Sequence, residues 1–295
     1  MGMVELETRE LEYFVAVADE LHFGRAADRL SIAQPALSKA IRRVESRLGV
    51  RLFDRSSRHV ALTPAGAALL EHGRHALNAV GAAVRHARRA GDADARLRLV
   101  LKPGGDAHLL SGMLAAYADR PDARRVDILF SGATDRVDHL RDGRADVALL
   151  YVPFDDLDGL AHETLHVEGR VAVLPAGHRL AGRDELRLAD LEGETLPRWK
   201  GVRDDGSGWE TGGLGPDADA RRPEVADVTQ MIHLITLGRM IAVLPRSLVE
   251  PVPAGIVCVP VTDASPSTLV IAWSERDRRP LVASFVAAAV AASTA

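Results

Sequence analysis

The sequence holds one cysteine, Cys258, in 295 residues. No disulfide can close within the chain, and a reducing compartment fits. There is no unbroken apolar run of about 18 residues, so no segment is expected to span a membrane. The first residues, MGMVELETRELEYF, are acidic and lead into no apolar stretch, unlike a secretory signal. The spacing G-x-x-x-x-G-K-[ST] of a phosphate loop is missing, as are a Rossmann fingerprint and a G-x-S-x-G nucleophile elbow. Eleven histidines occur, but none has Cys, Glu or His partners at a recognised ligand spacing, so neither a metal nor a cofactor is expected. Cys258 falls in the apolar run Ile256-Val257-Cys258-Val259 and reads as an inert core thiol. These absences leave a cytoplasmic globular protein without an evident catalytic constellation.

What is present divides unevenly. The length favours two domains over one, and 47% apolar with 26% charged residues is ordinary for a globular chain. The net charge is −4, yet between His22 and Leu62 nine basic residues stand against three acidic ones. A short basic block on an otherwise acidic protein points to a polyanion site on that block. A merely solvated charged face is the plainer alternative.

Helical spacing of Leu11, Phe14, Val15 and Ala18 predicts a helix over 7–20. A second short helix is expected from Gly24 to Leu30, with Gly24 as its N-cap. A tight turn, Ser31-Ile32-Ala33, leads to a third helix over 34–48, with Pro35 in its first turn and Gly49 at its end. Leu37, Ile41, Val44 and Leu48 form its core stripe. Gln34, Ser38 and Arg42 recur every four residues on another stripe, flanked by Lys39 and Arg43. A short helix, a three-residue turn and a longer helix with a polar, basic outer face is the arrangement that enters a DNA major groove. Gln bonds adenine in a bidentate way, Ser reaches bases or phosphate, and Arg and Lys take guanine edges or phosphates. Alternation around Ser56-Ser57-Arg58 predicts a small hairpin, or wing, whose Arg55 and Arg58 suit phosphates or a minor groove.

The run FGRAADRLSIAQPALSKAIRRVESRLGVRLFDRSSRHVALTPAG resembles the DNA-binding signature of LysR-type transcriptional regulators. The combination of AA-x-x-L, QPALS, I-x-x-x-E-x-x-L-G-x-x-L-F-x-R and L-T-x-A-G carries the resemblance. By position it implies that Gln34, Pro35, Ser38, Lys39 and Arg42 face the groove and that Arg55 and Arg58 are wing contacts. Ala33 stands where many members have Ser, and Lys39-Ala40 where Arg-Gln is frequent, which bears on base preference.

Thr63-Pro64 reads as an N-cap and first helical residue of a long helix reaching about Arg89. Gly66, Leu69, Gly73, Ala76, Val80, Ala83 and Ala87 form one stripe, and Leu70, Leu77 and Val84 an adjacent one. Two such stripes ask for a partner helix, unless the helix packs on its own domain. The resemblance implies antiparallel dimerisation here, with Leu69, Leu70, Ala76, Leu77, Val80 and Val84 at the interface. A homodimer or homotetramer would then read two half-sites of an interrupted palindrome. The segment 90–95 looks like a hinge.

From Arg96 onward strands and helices alternate, which argues for a parallel α/β sheet. DGRADVALL, VAVLPAGHRLAG and LGRMIAVLP resemble stretches of LysR-type effector domains. These have the two-lobed fold of type II periplasmic binding proteins. The implied organisation is a winged helix-turn-helix over 1–63, a linker helix over 64–90, a hinge over 91–95 and an effector domain over 96–295. Its lobes would be about 96–166 with 268–295, and 167–267. Ligands in open α/β sheets bind beyond the carboxyl ends of strands. That rule selects Lys102, Pro103 and Gly104 after the first strand, Ser131 and Thr134 after the second, and Val152 after the third. From the other lobe it selects Arg198, Trp199, Thr229 and Gln230. An organic anion or polar aromatic effector would find charge on Lys102 and Arg198, and hydroxyls on Thr134 and Thr229. The plainer reading makes the threonines N-caps and Lys102 a solvated cation.

The expected function is sequence-specific binding of double-stranded promoter DNA, modulated by a small molecule, with RNA polymerase as a further partner. The rival is an enzyme or ligand carrier on the α/β domain, with the N-terminal block serving only for dimerisation.

Overall fold

The structure, a computed structural model, describes residues 6–55, 60–90, 96–132, 135–199 and 223–294. Arg58 and Thr134, both expected at sites, lie outside the described residues, as does the side chain of Arg55. The chain forms an N-terminal unit up to Ala90 and a second unit that holds nearly all of the remainder.

In the first unit α1 spans Thr8–Glu20, α2 Phe23–Arg29 and α3 Gln34–Leu48. A capping box of Glu7 and Glu10 starts α1. The second helix begins one residue before the expected Gly24. His22 is its N-cap, because the imidazole Nδ1 accepts the Arg25 N–H at 3.1 Å. Ala33 precedes α3 with no side chain to cap it, and Pro35 occupies the first turn instead. Glu45 of α3 holds the following segment: its Oε1 accepts the N–H groups of Leu52 (2.9 Å) and Phe53 (3.2 Å). Strands β1 (Phe53–Arg55) and β2 (Val60–Leu62) pair antiparallel, with Phe53 opposite Leu62. Phe53 sits in the centre of the core, 5.3 Å from the Phe14 ring and 5.9 Å from that of Phe23.

Helix α4 runs over Pro64–Ala90. Thr63 caps it, accepting the Gly66 N–H at 3.0 Å and donating to the Arg51 carbonyl at 2.6 Å. A Cβ at Gly66 would overlap the Leu52 carbonyl oxygen, and one at Gly73 would press on the Leu11 side chain. The small residues of α4 therefore serve close approach to the helix's own domain. Leu70 is 8% exposed within that core, and Leu69 and Leu77 pack against it. Leu70 is thus covered by its own domain, and Leu69 and Leu77 are half-buried there. Ala76, Val80 and Val84 remain on the exposed side of α4.

The second unit is built on two sheets. Strands β3 (Leu97–Leu101), β4 (Val126–Phe130), β5 (Val147–Val152), β6 (Leu160–Glu168) and β12 (Ser267–Ser274) form the first, in the order β4-β3-β5-β12-β6. Strand β3 is parallel to β4 and β5, whereas β12 is antiparallel to β5 and β6. Strands β7 (Arg170–Pro175), β10 (Ala242–Pro245) and β11 (Ile256–Val261) form the second sheet, with β7 central and antiparallel to both neighbours. The short β8 (Arg198–Trp199) and β9 (Glu224–Val225) pair in parallel. In the two main sheets the expected parallel pairing is thus confined to β3, β4 and β5. Parallel pairing needs a crossover element, here α5 (Leu110–Ala118) and α6 (Arg136–Arg141). No such helix separates β6 from β7. The polar segment HETLHVE within β6 carries too little apolar alternation to announce a strand.

Continuous apolar runs become strands buried on both faces. In β5, Val147, Leu149 and Tyr151 face α5 and α8 (Pro280–Ser293), and Ala148 and Leu150 face the α6 side. In β7, Val171 and Val173 pack beneath α7 (Val228–Thr236), and Ala172 and Leu174 on the opposite face. The chain passes between the sheets at Gly169 and again between Val261 and Ser267.

Candidate functional site

Helix α3 separates its faces sharply. Leu37, Ala40, Ile41 and Val44 are buried. Gln34, Pro35, Lys39, Arg42 and Arg43 are exposed, and Ser38 is half-buried. At 100° per residue, Ser38, Arg42, Pro35 and Lys39 span one outward sector. Arg43 lies at its margin, where its charge acts on Glu10. Arg42 extends back along the helix, its Nε donating to the Ser38 carbonyl at 3.2 Å. Among the described residues neither Lys39 nor Arg42 forms an ion pair. The basic residues of α2 differ: Arg25 pairs with Glu20 at 3.1 Å and Arg29 with Asp19 at 3.1 Å. The uncompensated positive charge is therefore on the outer face of α3.

That face is braced from behind. Glu10 of α1 receives a hydrogen bond from Arg47 near the end of α3. Burial alone would raise the Glu10 carboxyl, but the Arg47 bond and positive charge outweigh it and hold the group below its ordinary value.

In the second unit a cavity of about 260 Å³ lies between the two sheets. Lys102, Pro103, Ser131, Trp199 and Thr229, all selected from the sequence, line it. Tyr151, Arg170, Leu248 and Ser267 line it too and were not selected. Phe154 and Leu248 touch the apolar cores of both sheets, which makes the cavity continuous across the cleft. Phe154 meets Trp199 edge to face at 6.3 Å.

Four of the selected residues fall elsewhere. Gly104 forms the turn behind the cavity at φ +69°, which suits glycine. Val152 packs on the α6 face of the sheet, one residue out of phase with Tyr151. Arg198 is exposed and pairs with Glu224 at 2.7 Å, because strand alternation turns it away from the face that holds Trp199. Gln230 starts α7: its N–H donates to Asp227 at 2.8 Å, and its side-chain oxygen accepts the Ala226 N–H at 2.8 Å.

The polar end of the cavity is unusual. Lys102 is half-buried, and its Nζ stands 4.6 Å from the Tyr151 ring centroid. Its stem folds over Gly105, where a Cβ would overlap the lysine Cγ. Burial, reinforced by the positive charge of Arg136, brings the Lys102 amine down to about 7. Arg136 is fully buried and clamps Asp155 through two bonds of 2.9 and 3.1 Å. It also donates to the Gly132 carbonyl at 2.6 Å, while Asp155 accepts the Tyr151 N–H at 2.8 Å. The pair ties the loop after β4 to the end of β5. Tyr151 is 3% exposed, and its hydroxyl lies near the Ser247 side chain without a well-aligned hydrogen bond. At the sheet crossings, Glu168 accepts from the N–H and hydroxyl of Ser247, and the Arg170 Nε donates to the Ser265 carbonyl at 2.9 Å.

Among the described residues no group of three or more His, Cys, Asp or Glu could hold a metal ion. No described helix is long and apolar enough to cross a membrane.

Residues 8–67 match the model "Bacterial regulatory helix-turn-helix protein, lysR family", and residues 90–293 match "LysR substrate binding domain". The Hca operon transcriptional activator HcaR of Escherichia coli is 30% identical over 295 residues, covering 96% of each chain. The regulator AlsR of Bacillus subtilis is 32% identical over 65% of this chain and 63% of its own. A probable hydrogen peroxide-inducible genes activator of Mycobacterium xenopi is 40% identical over 59% of this chain and 92% of its own. Among solved structures, full-length BenM superposes with a TM-score of 0.54 at 26% identity, covering 96% of this chain and 95% of that one. Oxidized OxyR of Corynebacterium glutamicum superposes with a TM-score of 0.52 at 26% identity, covering 100% and 96%. With both domain models matched in order and a relative aligned along almost its whole length, the chain belongs to the LysR family of DNA-binding transcription regulators with a C-terminal effector-binding domain.

Proposed function

We propose that this regulator reads promoter DNA with the outer face of α3 and responds to a small molecule held in the cavity between its two effector-domain sheets. The observation that carries the reading is the exposure of Lys39 and Arg42, without carboxylate partners among the described residues, on a helix anchored by Leu37, Ile41 and Val44. Such a face suits the major groove, where phosphate contacts position the helix and base-edge contacts specify sequence. A homodimer or homotetramer joined through the exposed Ala76, Val80 and Val84 side of α4 would present two such faces. The effector is an organic anion or a polar aromatic compound, and RNA polymerase is the expected partner downstream.

The protein acts in the cytoplasm, without cofactor and without catalysis. Its polar cavity groups are Lys102, Arg170, Asp227 and hydroxyls, and the Asp227 carboxylate is engaged in capping α7. A two-cysteine redox switch within the chain is excluded by composition. Cys258 stands alone, and burial raises its thiol pKa and so disfavours the reactive thiolate.

Selection of bound sequences from random duplex DNA by the intact chain tests the DNA reading. Enrichment of an interrupted palindrome is expected. An unenriched pool, with retardation equal on all sequences, would remove sequence-specific recognition from the account.

A further inference from the structure

We propose that Lys102 selects the ligand of the cleft: the cavity takes a small carboxylate with an apolar body, and the carboxylate enters together with a proton that settles on Lys102. The inference rests on the reading of the cavity as the effector site.

The geometry supplies a polar end and an apolar end. Phe154, Trp199 and Leu248 furnish the apolar walls. At the polar end the Lys102 amine makes no hydrogen bond or salt bridge among the described residues and stands over the Tyr151 ring. The Tyr151 hydroxyl is buried beside the Ser247 side chain, without a well-aligned bond. A carboxylate placed between them would accept a hydrogen bond from each.

The charges that act on Lys102 come as two opposed pairs. Arg136 is held by Asp155. Arg170 and Glu168 face Lys102 with opposite signs from the sheet crossing. Asp106 acts on Tyr151 from the loop after β3. Asp227 lines the rim, where its carboxylate caps α7. The two pairs oppose each other and Asp106 and Asp227 add negative charge, so it is chiefly burial that disfavours the ammonium and brings the amine down to about 7. A bound carboxylate reverses that balance, because an opposite charge a few ångströms away favours the ammonium. The sign follows from linkage. Below about pH 7 the lysine is already charged and affinity is flat. Above it each bound carboxylate must bring a proton, so affinity falls about tenfold per pH unit until the raised pKa of the complex is passed. A cavity of about 260 Å³ is at or below the small end of ligand pockets, which restricts the acid to a compact one.

The chain has three lysines, Lys39, Lys102 and Lys200, so each is resolvable by NMR after 13C-methylation of the full-length protein and assignment with Lys→Arg variants. The probes are benzoate, phenylacetate and hexanoate, each set against its amide. The expected result is a Lys102 signal titrating near pH 7 in the free chain and at least one pH unit higher with a carboxylate. Amides should leave the titration in place, and calorimetry should show proton uptake that is lost in Lys102→Met. A Lys102 titrating above pH 9 in the free chain, or unmoved by every carboxylate, overturns the proposal. If amides perturb the Lys102 signal while carboxylates do not, the proton-linked anion is wrong and the cavity still stands as a small-molecule site. If no probe of either kind perturbs it, this acid class is wrong.

Discussion

The ammonium nitrogen of Lys102 lies 4.6 Å above the ring centroid of Tyr151, at the polar end of a cavity whose other walls are mostly apolar. A group that water would solvate well is thus kept against an aromatic face in the cleft. Stability is given up at the place where a ligand would restore it, a pattern common at binding sites.

Replacement of Lys102 by Met should therefore stabilise the ligand-free effector domain. The amine falls from an ordinary 10.5 to about 7, so between those pH values the unfolded chain binds more protons than the folded one. Stability then rises with pH through that window, and the penalty is full below it. Urea unfolding at pH 7 should show Lys102→Met more stable by on the order of 1–3 kcal/mol, with the difference shrinking toward pH 10. Equal stabilities at pH 7 would mean that the lysine is solvated in the free protein.

Removal of Arg136 should have the opposite sign. Its guanidinium is fully buried and carries both bonds to Asp155. Arg136→Met leaves a buried carboxylate with only the Tyr151 N–H, at 2.8 Å, for company. A loss of about 3–5 kcal/mol is expected for breaking such a pair. The double variant Arg136→Met/Asp155→Leu should recover much of it, since no charge is then stranded. Chemical denaturation of the single and double variants checks this. A double variant as unstable as the single one would show that packing, not charge, sets the cost.

Gly66→Ala should destabilise the DNA-binding unit although alanine is the better helix former by about 1 kcal/mol. The added methyl would overlap the Leu52 carbonyl oxygen, which is backbone and cannot swing aside. A net loss of about 1–3 kcal/mol is expected from such overpacking, read as a lower Tm of residues 1–90 by circular dichroism. A higher Tm would show that α4 can lift away from that segment without cost.

The α3 faces are legible in the sequence because core and groove residues separate at helical spacing, and Pro35 and Gly49 mark the ends. Lys102 and Trp199 are reachable because strand ends in α/β folds aim at ligands. Tyr151 and Arg170 are hidden because they sit within or beside the runs VALLYV and RVAVLP, where local pattern signals only burial. Arg198 misleads for a related reason. A two-residue strand gives no alternation from which to tell its cavity face from its solvent face. On α4 the leucine stripe announces that it will be buried but not by what, and Leu70 finds its partners in its own domain. The antiparallel β12 and the unforeseen β6 arise from pairing across the chain, which short-range spacing cannot specify.

The outer face of α3 should meet DNA phosphates, and the salt dependence of DNA affinity tests this directly. Fluorescence anisotropy of the intact chain on its selected duplex should give log Kd rising steeply with log salt, as released counterions require. In Arg42→Ala and Lys39→Ala the slope should drop by about 1 wherever the side chain holds a phosphate. Where it reads a base instead, specific affinity should fall by about 1–3 kcal/mol with the slope unchanged. Binding that is insensitive to salt, and equal in the wild type and both variants, would contradict the claim that this helix face meets DNA.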